Sequence, residues 1–362
     1  MAHTDGMNYA PRGIKNHVCS PGEFRFSVIG LDHGHILGMT SGLQDAGGQL
    51  VAVYDPDREK VASFQKTFQK TSPTVRAASS QQEILDDRTI QMVASAAVPA
   101  DRGPLGLAVL NAGKHYLSDK APFTTIPQLE AARKKVAKTG LKWAVCYSER
   151  VQNEAAVKAG QLIHEGAIGR VLQVIGMGPH RINVPARPDW FFQRDRVGGI
   201  LIDIGSHQIE QFLYFAGAQS ATVVHSKTAN YNHPAFQDFD DFGDATLIAD
   251  NGATCYFRVD WFTPDGLSTW GDGRTFVLGT DGYIELRKYV DIAREPTGDH
   301  LYLVDHTGEH HIPVNGTVGF PYFGQLIRDI LDNTDNAMPQ DHTFRAAELC
   351  IRAQQQAIRI TG

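Results

Sequence analysis

Only four cysteines occur in 362 residues, Cys19, Cys146, Cys255 and Cys350, and no two form a Cys-x-x-Cys pair. That scarcity excludes a disulfide-stapled scaffold and a thiolate zinc site, and it fits reduced thiols in a cytoplasmic setting. Long apolar runs are missing too. Nothing approaches the roughly 18 residues that span a bilayer, so no membrane partner is expected. Positive charge is not in excess: 34 Lys and Arg stand against 40 Asp and Glu, a net charge of -6. That balance argues against a nucleic-acid or anionic-lipid partner. Internal repeats and low-complexity segments are absent. Residues 1–23 lack an apolar core and read as an N-terminal arm, flexible or wrapped on a partner, rather than a leader peptide.

What the chain does have is length for two domains and a nucleotide-binding start. Phe24 to Gly30 is a short strand ending on glycine, a helix-compatible stretch runs to about Gly47, and Leu50 to Asp55 is a second strand ending in an acid. Strand, glycine turn, helix, strand and acid form the order of a βαβ dinucleotide site. In such a site the pyrophosphate sits on helix N–H groups and the acid, Asp55, accepts from ribose hydroxyls. An acid there repels a 2′-phosphate, which favours NAD over NADP. The turn Gly30-Leu31-Asp32-His33-Gly34-His35 departs from G-x-G-x-x-G at Asp32 and His35. An Asp beside a pyrophosphate is unfavourable unless its side chain turns away or meets a cation. Further βα units follow: a strand over Gln91 to Val98 ending at Pro99, a helix over Leu105 to Ala112, and a strand over His115 to Ser118. Lys120, just past that strand, falls at the carboxyl end of a parallel sheet, where ligands bind.

Gly198 to Gly217 carries a second signal. Ile204, Ile209, Phe212 and Leu213 trace one helical face after a Gly-Gly turn. Asp203 and His207 lie four apart, one turn along that helix. A carboxylate beside an imidazole holds one tautomer and tunes it for proton transfer; the plain alternative is a capping Asp and a satisfied His. From Gly169 onward the pattern becomes alternating strands, with candidates at 170–176, 221–229, 244–249, 254–261, 275–279 and 283–288. Phe344 to Ile360 reads as a closing amphipathic helix. The stretch from Arg181 to Arg196 joins four arginines to Trp190, Phe191 and Phe192. It suits a sugar, or a sugar acid whose carboxylate takes a bidentate fork. His33 and His35 beside Asp32, the set Asp203, His180 and His207, and His310-His311 show no established metal spacing, so no metal is expected.

Two segments carry a family resemblance. Ala112-Gly113-Lys114-His115 through Asp119-Lys120 resembles the Ala-Gly-Lys-His … Glu-Lys-Pro segment of the glucose–fructose oxidoreductase, inositol dehydrogenase and rhizopine-catabolism (Gfo/Idh/MocA) family. Gly198-Gly199 … Asp203-x-Gly205-x-His207 resembles its second signature. The resemblance implies an α/β fold: a Rossmann dinucleotide-binding domain over 24–147 and an α+β domain over 148–362 with a large, mostly antiparallel, open-faced sheet. It implies catalytic roles for Lys120, Asp203 and His207. Gly30, Asp32, His33, Gly34, His35, Asp55, Pro99, Lys120 and Tyr147 would then bind the cofactor. Arg150, His180, Arg181, Asn183 and Trp190 would bind substrate. A homodimer or homotetramer through the open sheet face is implied as well. The expected activity is hydride transfer between NAD, less readily NADP, and a secondary alcohol of a sugar, polyol or sugar acid. Rivals of the same fold are a redox-neutral lyase or glycosidase that recycles NAD, and a cofactor-sensing regulator. Asp119-Lys120-Ala121-Pro122 displaces the family's proline by one place.

Overall fold

Strands that end at glycine, proline or a lysine, and helices that bury one face, fold here into two units. The computed structural model describes residues 5–360. One unit joins Met7–Cys146 to Phe320–Thr343; the other is built on Tyr147–Gly319, with the short stretch ending at Gly6 and the segment from Phe344 onward. The division after Cys146 falls beside the expected boundary, but neither unit is contiguous.

The first unit holds six strands: β1 (Arg25–Ile29), β2 (Gln49–Tyr54), β3 (Arg76–Ala77), β4 (Met92–Ser95), β5 (His115–Asp119) and β6 (Trp143–Cys146). All pair in parallel in the order β3-β2-β1-β4-β5-β6, the Rossmann arrangement. The run Met92–Ser95 is wholly buried, as a strand covered on both faces should be. The helix His35–Asp45 buries Ile36, Met39 and Leu43. Its Gly42 lets the helix Pro321–Asp332 approach, since a Cβ there would fall 2.3 Å from the Phe323 ring. The Tyr322 hydroxyl donates to the Val145 carbonyl at 2.9 Å. The arm residues Asn16 and Val18 donate backbone N–H groups to Asp45 and Ala46 at the end of the helix His35–Asp45. This stretch of the arm is therefore seated on this unit.

The second unit holds a nine-stranded sheet: β7 (Val171–Pro179), β8 (Ala221–Ala229), β9 (Phe242–Ala249), β10 (Thr254–Asp260), β11 (Arg274–Gly279), β12 (Gly282–Arg287), β13 (His300–Asp305), β14 (Gly308–Pro313) and β15 (Ile358–Ile360). Their order is β14-β13-β12-β11-β7-β10-β9-β8-β15, antiparallel except at β7–β10 and β8–β15. One face packs on the helix Gly205–Ala216, which lies on β7, where Gly176 and Gly178 make room for Gln208. The opposite face keeps Ile175, Tyr256, Phe276, Leu278 and Tyr283 exposed. Register places Ile175 beside both Tyr256 and Phe276, and Leu278 opposite Tyr283, so these side chains form one patch over four strands.

Five strands escaped sequence reading: β3 and β6 in the first unit, and β13, β14 and β15 in the second. In β13 and β14 the burial alternates only weakly, and β15 is three exposed residues. The closing helix is Gln340–Gln356, not Phe344–Ile360: the chain leaves the helix at Ala357 and adds β15 to β8. The Gly198–Gly217 helix is in two pieces, Ile200–Asp203 and Gly205–Ala216, with Ile204 between them.

Candidate active site

The first unit presents its glycine turn between β1 and the helix His35–Asp45. Gly30 takes φ +85°, and a Cβ there would stand 2.8 Å from the Ala97 Cβ, so the position requires glycine. Asp55 is buried, and both its carboxylate oxygens accept backbone N–H groups: Leu31 at 2.7 Å and Asp57 at 2.9 Å. The expected ribose acid thus ties the end of β2 to the glycine turn, and any hydroxyl must share its remaining lone pairs. Asp32 meets a cation: its Oδ1 lies 2.6 Å from Lys60 Nζ, and its Oδ2 accepts from the Val98 N–H at 3.3 Å. The charge that conflicts with a pyrophosphate is thereby offset. The N–H groups of Asp32 and Gly34 stay without an intramolecular acceptor among the described residues, and no side chain caps the helix. Two donors beside a helix N-terminus, on a turn with no room for a Cβ, fit a dinucleotide pyrophosphate.

Lys120 follows β5 and is buried. Its surroundings centre on Arg102, fully buried in the helix Pro99–Asn111. Arg102 Nε donates to the Ala97 carbonyl at 2.7 Å, Nη2 reaches Asp119 Oδ2 at 3.1 Å, and Nη1 donates to the carbonyls of Lys120 and Ala121. The Lys120–Ala121 peptide is cis. One guanidinium therefore grips the loop before Pro99 and the peptide after the lysine, where the family's proline is displaced. Asp119 Oδ1 also pairs with His35 Nδ1 at 3.0 Å. Burial alone would raise the Asp119 pKa, but His35 and Arg102 hold it far below the ordinary carboxylate value. Burial, and then His35, push His33 well below the ordinary imidazole value. Among the described residues, His33, His35 and Asp119 are the one trio with metal-ligand spacing. His33 Nδ1 already accepts the His35 N–H at 3.3 Å, and Arg102 occupies the carboxylate, so the trio serves as a polar support for β5.

In the second unit His207 opens the helix Gly205–Ala216, 1 % exposed, and Asp203 ends the preceding piece. Two residues that sequence reading missed dominate the charge here. Glu149, 2 % exposed, receives Lys288 Nζ at 2.9 Å and Gln208 Nε2 at 3.3 Å on its Oε2. Its Oε1 lies 3.7 Å from His180 Nε2. Burial would raise the Glu149 pKa, yet Lys288, His207 and His180 bring it down to about 2. His180 is wedged against Trp270 and Trp261, with ring centroids 4.5 and 5.4 Å away. Arg187 is the other omission. Its Nη2 pairs with Asp5 Oδ1 at 2.6 Å, its guanidinium lies over the Phe191 and Trp261 rings, and Asp203 adds a second negative charge nearby. Gly6, next to Asp5, packs on Trp270 and His180.

The substrate contacts expected of the arginines need correction. Arg150 is held in a buried pair with Glu210 at 2.6 Å and lies over the Tyr214 ring. Arg181 anchors a loop, donating to the carbonyls of Pro264 and Leu267 and pairing with Asp265. Arg194 forms a fork with Asp240 at 2.6 and 2.8 Å. Internal carboxylates thus occupy the groups that suggested a sugar-acid fork. Asn183, at φ 48°, starts a 3-10 turn, Trp190 lies in the next one beside Phe191, and Tyr147 is fully buried. Glu149 and Lys288 stand 139 positions apart, so no local pattern could have joined them.

Comparison with known proteins follows the same division. Residues 24–147 match the oxidoreductase family NAD-binding Rossmann fold, and residues 156–285 match the GFO/IDH/MocA C-terminal domain. A crystal structure from Erwinia carotovora atroseptica SCRI1043, provisionally named an oxidoreductase, is 50% identical with a TM-score of 0.90, covering 94% of this chain and all of that one. Levoglucosan dehydrogenase in complex with NADH and levoglucosan shares the fold at a TM-score of 0.74 and 19% identity, over 92% of this chain and 97% of that one. By sequence, scyllo-inositol 2-dehydrogenase (NAD(+)) of Bacillus subtilis is 27% identical over 66% of each chain. Levoglucosan dehydrogenase of Pseudarthrobacter phenanthrenivorans is 30% identical over 48% of this chain and 43% of its own length. The matches thus span from under half to about two thirds of these curated relatives.

Proposed function

Because the chain belongs to the GFO/IDH/MocA oxidoreductase family, with its NAD-binding Rossmann domain, we propose that it oxidises a secondary alcohol of a neutral sugar, anhydro-sugar or polyol. The observation that carries the substrate class is the pairing of three buried cations of the second unit with internal carboxylates. Arg150 has Glu210, Arg187 has Asp5, and Lys288 has Glu149. A substrate carboxylate would have to displace an internal one. Hydroxyls need only the neutral donors and acceptors that remain, which removes sugar acids from the expected range.

NAD is the proposed cofactor, and bound nicotinamide would accept hydride from the carbon bearing the hydroxyl. Three carboxylates, Asp32, Asp55 and Asp57, gather at the end of β2, and the cations nearby are committed. Lys60 goes to Asp32, and Arg58 goes to the carbonyls of Ala78 and Ser79. A 2′-phosphate would meet negative charge without a free partner. His207 is assigned the proton of the substrate hydroxyl, and Lys120 the charge developing on that oxygen. Asp203, two residues before the helix of His207, is assigned its orientation.

Calorimetric titration of NAD+ and NADP+ tests the cofactor, with NAD+ expected to bind more tightly. Absorbance at the reduced nicotinamide band, with inositols, levoglucosan, glucuronate and gluconate, tests the substrate. Turnover of a neutral compound supports the reading; turnover restricted to the acids overturns it. Product formed without accumulation of reduced cofactor would point to the redox-neutral chemistry of the same fold.

A further inference from the structure

His180 has its two ring nitrogens aimed at two acceptors. Nδ1 lies 3.1 Å from the Gly178 carbonyl, which can only accept, so Nδ1 carries a hydrogen. Nε2 faces Glu149 Oε1 at 3.7 Å, and that oxygen accepts no hydrogen bond among the described residues. The ring has little freedom to turn away. Trp261 and Trp270 flank it, its own N–H donates to the Asp260 carbonyl at 2.8 Å, and its carbonyl accepts from Thr263 at 3.1 Å. Glu149 is equally fixed, with its other oxygen held by Lys288 and Gln208. A neutral His180 in this pose would set the Nε2 lone pair against a buried carboxylate oxygen. A proton on Nε2 turns the same contact into an ion pair.

We propose that Glu149 is a positioning residue that holds His180 as a doubly protonated imidazolium, with Lys288 and Gln208 fixing Glu149 for that task. The other charges facing the pair are consistent with it. Lys288 comes from the end of β12 and His207 from the helix Gly205–Ala216. Arg150 is neutralised by Glu210, and Asp260 on β10 by Arg258. On the side of the arm, Asp5 is neutralised by Arg187. Among the described residues, Glu149 offers His180 a nearby carboxylate oxygen without a hydrogen-bond donor.

The meaning for catalysis rests on the substrate-site reading above. An imidazolium is a donor at both nitrogens and cannot act as a base. With Nδ1 turned to Gly178 and Nε2 to Glu149, His180 would be a fixed charge in the site and leave proton exchange to His207.

Nitrogen-15 NMR of selectively labelled histidine, with the His180 signal assigned from His180→Asn, tests the proposal without any substrate. At pH 7.5 both His180 nitrogens should show protonated shifts. In Glu149→Gln the His180 titration midpoint should fall by about one pH unit or more, since the neighbouring charge is removed. Lys288→Met leaves the carboxylate in place and should keep His180 charged. A wild-type His180 with an unprotonated Nε2 at pH 7.5 overturns the proposal, and that measurement stands even if Glu149→Gln does not fold. An unchanged midpoint in a folded Glu149→Gln also overturns it. Absence of dehydrogenase activity alongside an intact imidazolium would sink the functional reading and leave this inference standing.

Discussion

At the residue scale the assignments of His207 and Lys120 make distinct predictions. His207→Ala should lower turnover roughly 10²- to 10⁴-fold while NAD+ affinity is kept, because the group is assigned a proton transfer and no part in cofactor binding. Lys120→Ala should lower turnover by a similar factor. Steady-state kinetics beside a cofactor titration check both, and near wild-type turnover of the true substrate by His207→Ala would remove it from the chemistry. These two residues were legible in the sequence, since each sits in a short motif whose spacing carries its meaning. Asp55 was legible in position, but not in its use as a backbone acceptor. Glu149, Lys288 and Asp5 were not legible at all, and Arg187 was legible as one of four arginines beside aromatics but not in its pairing with Asp5. Their partners lie 139 and 182 positions away, and only the folded sheet brings them together.

At the element scale, close approach of backbones replaces side-chain filling at several helices. Gly106 in the helix Pro99–Asn111 would place a Cβ 2.1 Å from the Trp143 ring on β6. Ala in an exposed helix interior is worth roughly 0.5–1 kcal/mol over Gly, so Gly106→Ala would stabilise if propensity ruled. Overpacking of this kind typically costs about 1–3 kcal/mol, and a lower melting temperature is therefore expected by thermal circular dichroism. Strand β5 adds a pH effect. Burial, and then Lys142, lower the His115 pKa to about 4. The unfolded chain then binds more protons than the folded one between about pH 6.5 and 4, so stability falls as pH falls through that window. Melting temperatures from pH 7 to 4 should show this, and His115→Gln should flatten part of the slope. The Rossmann strands β1, β2, β4 and β5 were readable because they run into Gly30, Asp55, Pro99 and Lys120, whereas the two-residue β3 and the short β6 were not read. Edge strands β14 and β15 were not, because their largely exposed residues lose the alternation that marks a strand, and the interior β13 was not, because its burial does not alternate strictly.

At the scale of the whole molecule, the apolar patch of Ile175, Tyr256, Phe276, Leu278 and Tyr283 is what a second copy would cover, in keeping with the expected oligomer. Phe276→Glu and Ile175→Glu together should shift the mass seen by light scattering at micromolar concentration towards that of a single chain; a wild type already monomeric there would refute the interface. The interleaving of the two units has a consequence for how the protein is made. About 170 residues separate Cys146 from Phe320, yet both belong to one unit. At a synthesis rate of ~5–20 residues per second, the helix that covers Gly42 and Val145 emerges from the ribosome on the order of ten seconds or more after the sheet it completes. Asp5 likewise waits for Arg187. A nascent copy spends that interval with its first-made apolar surfaces open, and in a crowded cell this is when a holding chaperone would find it.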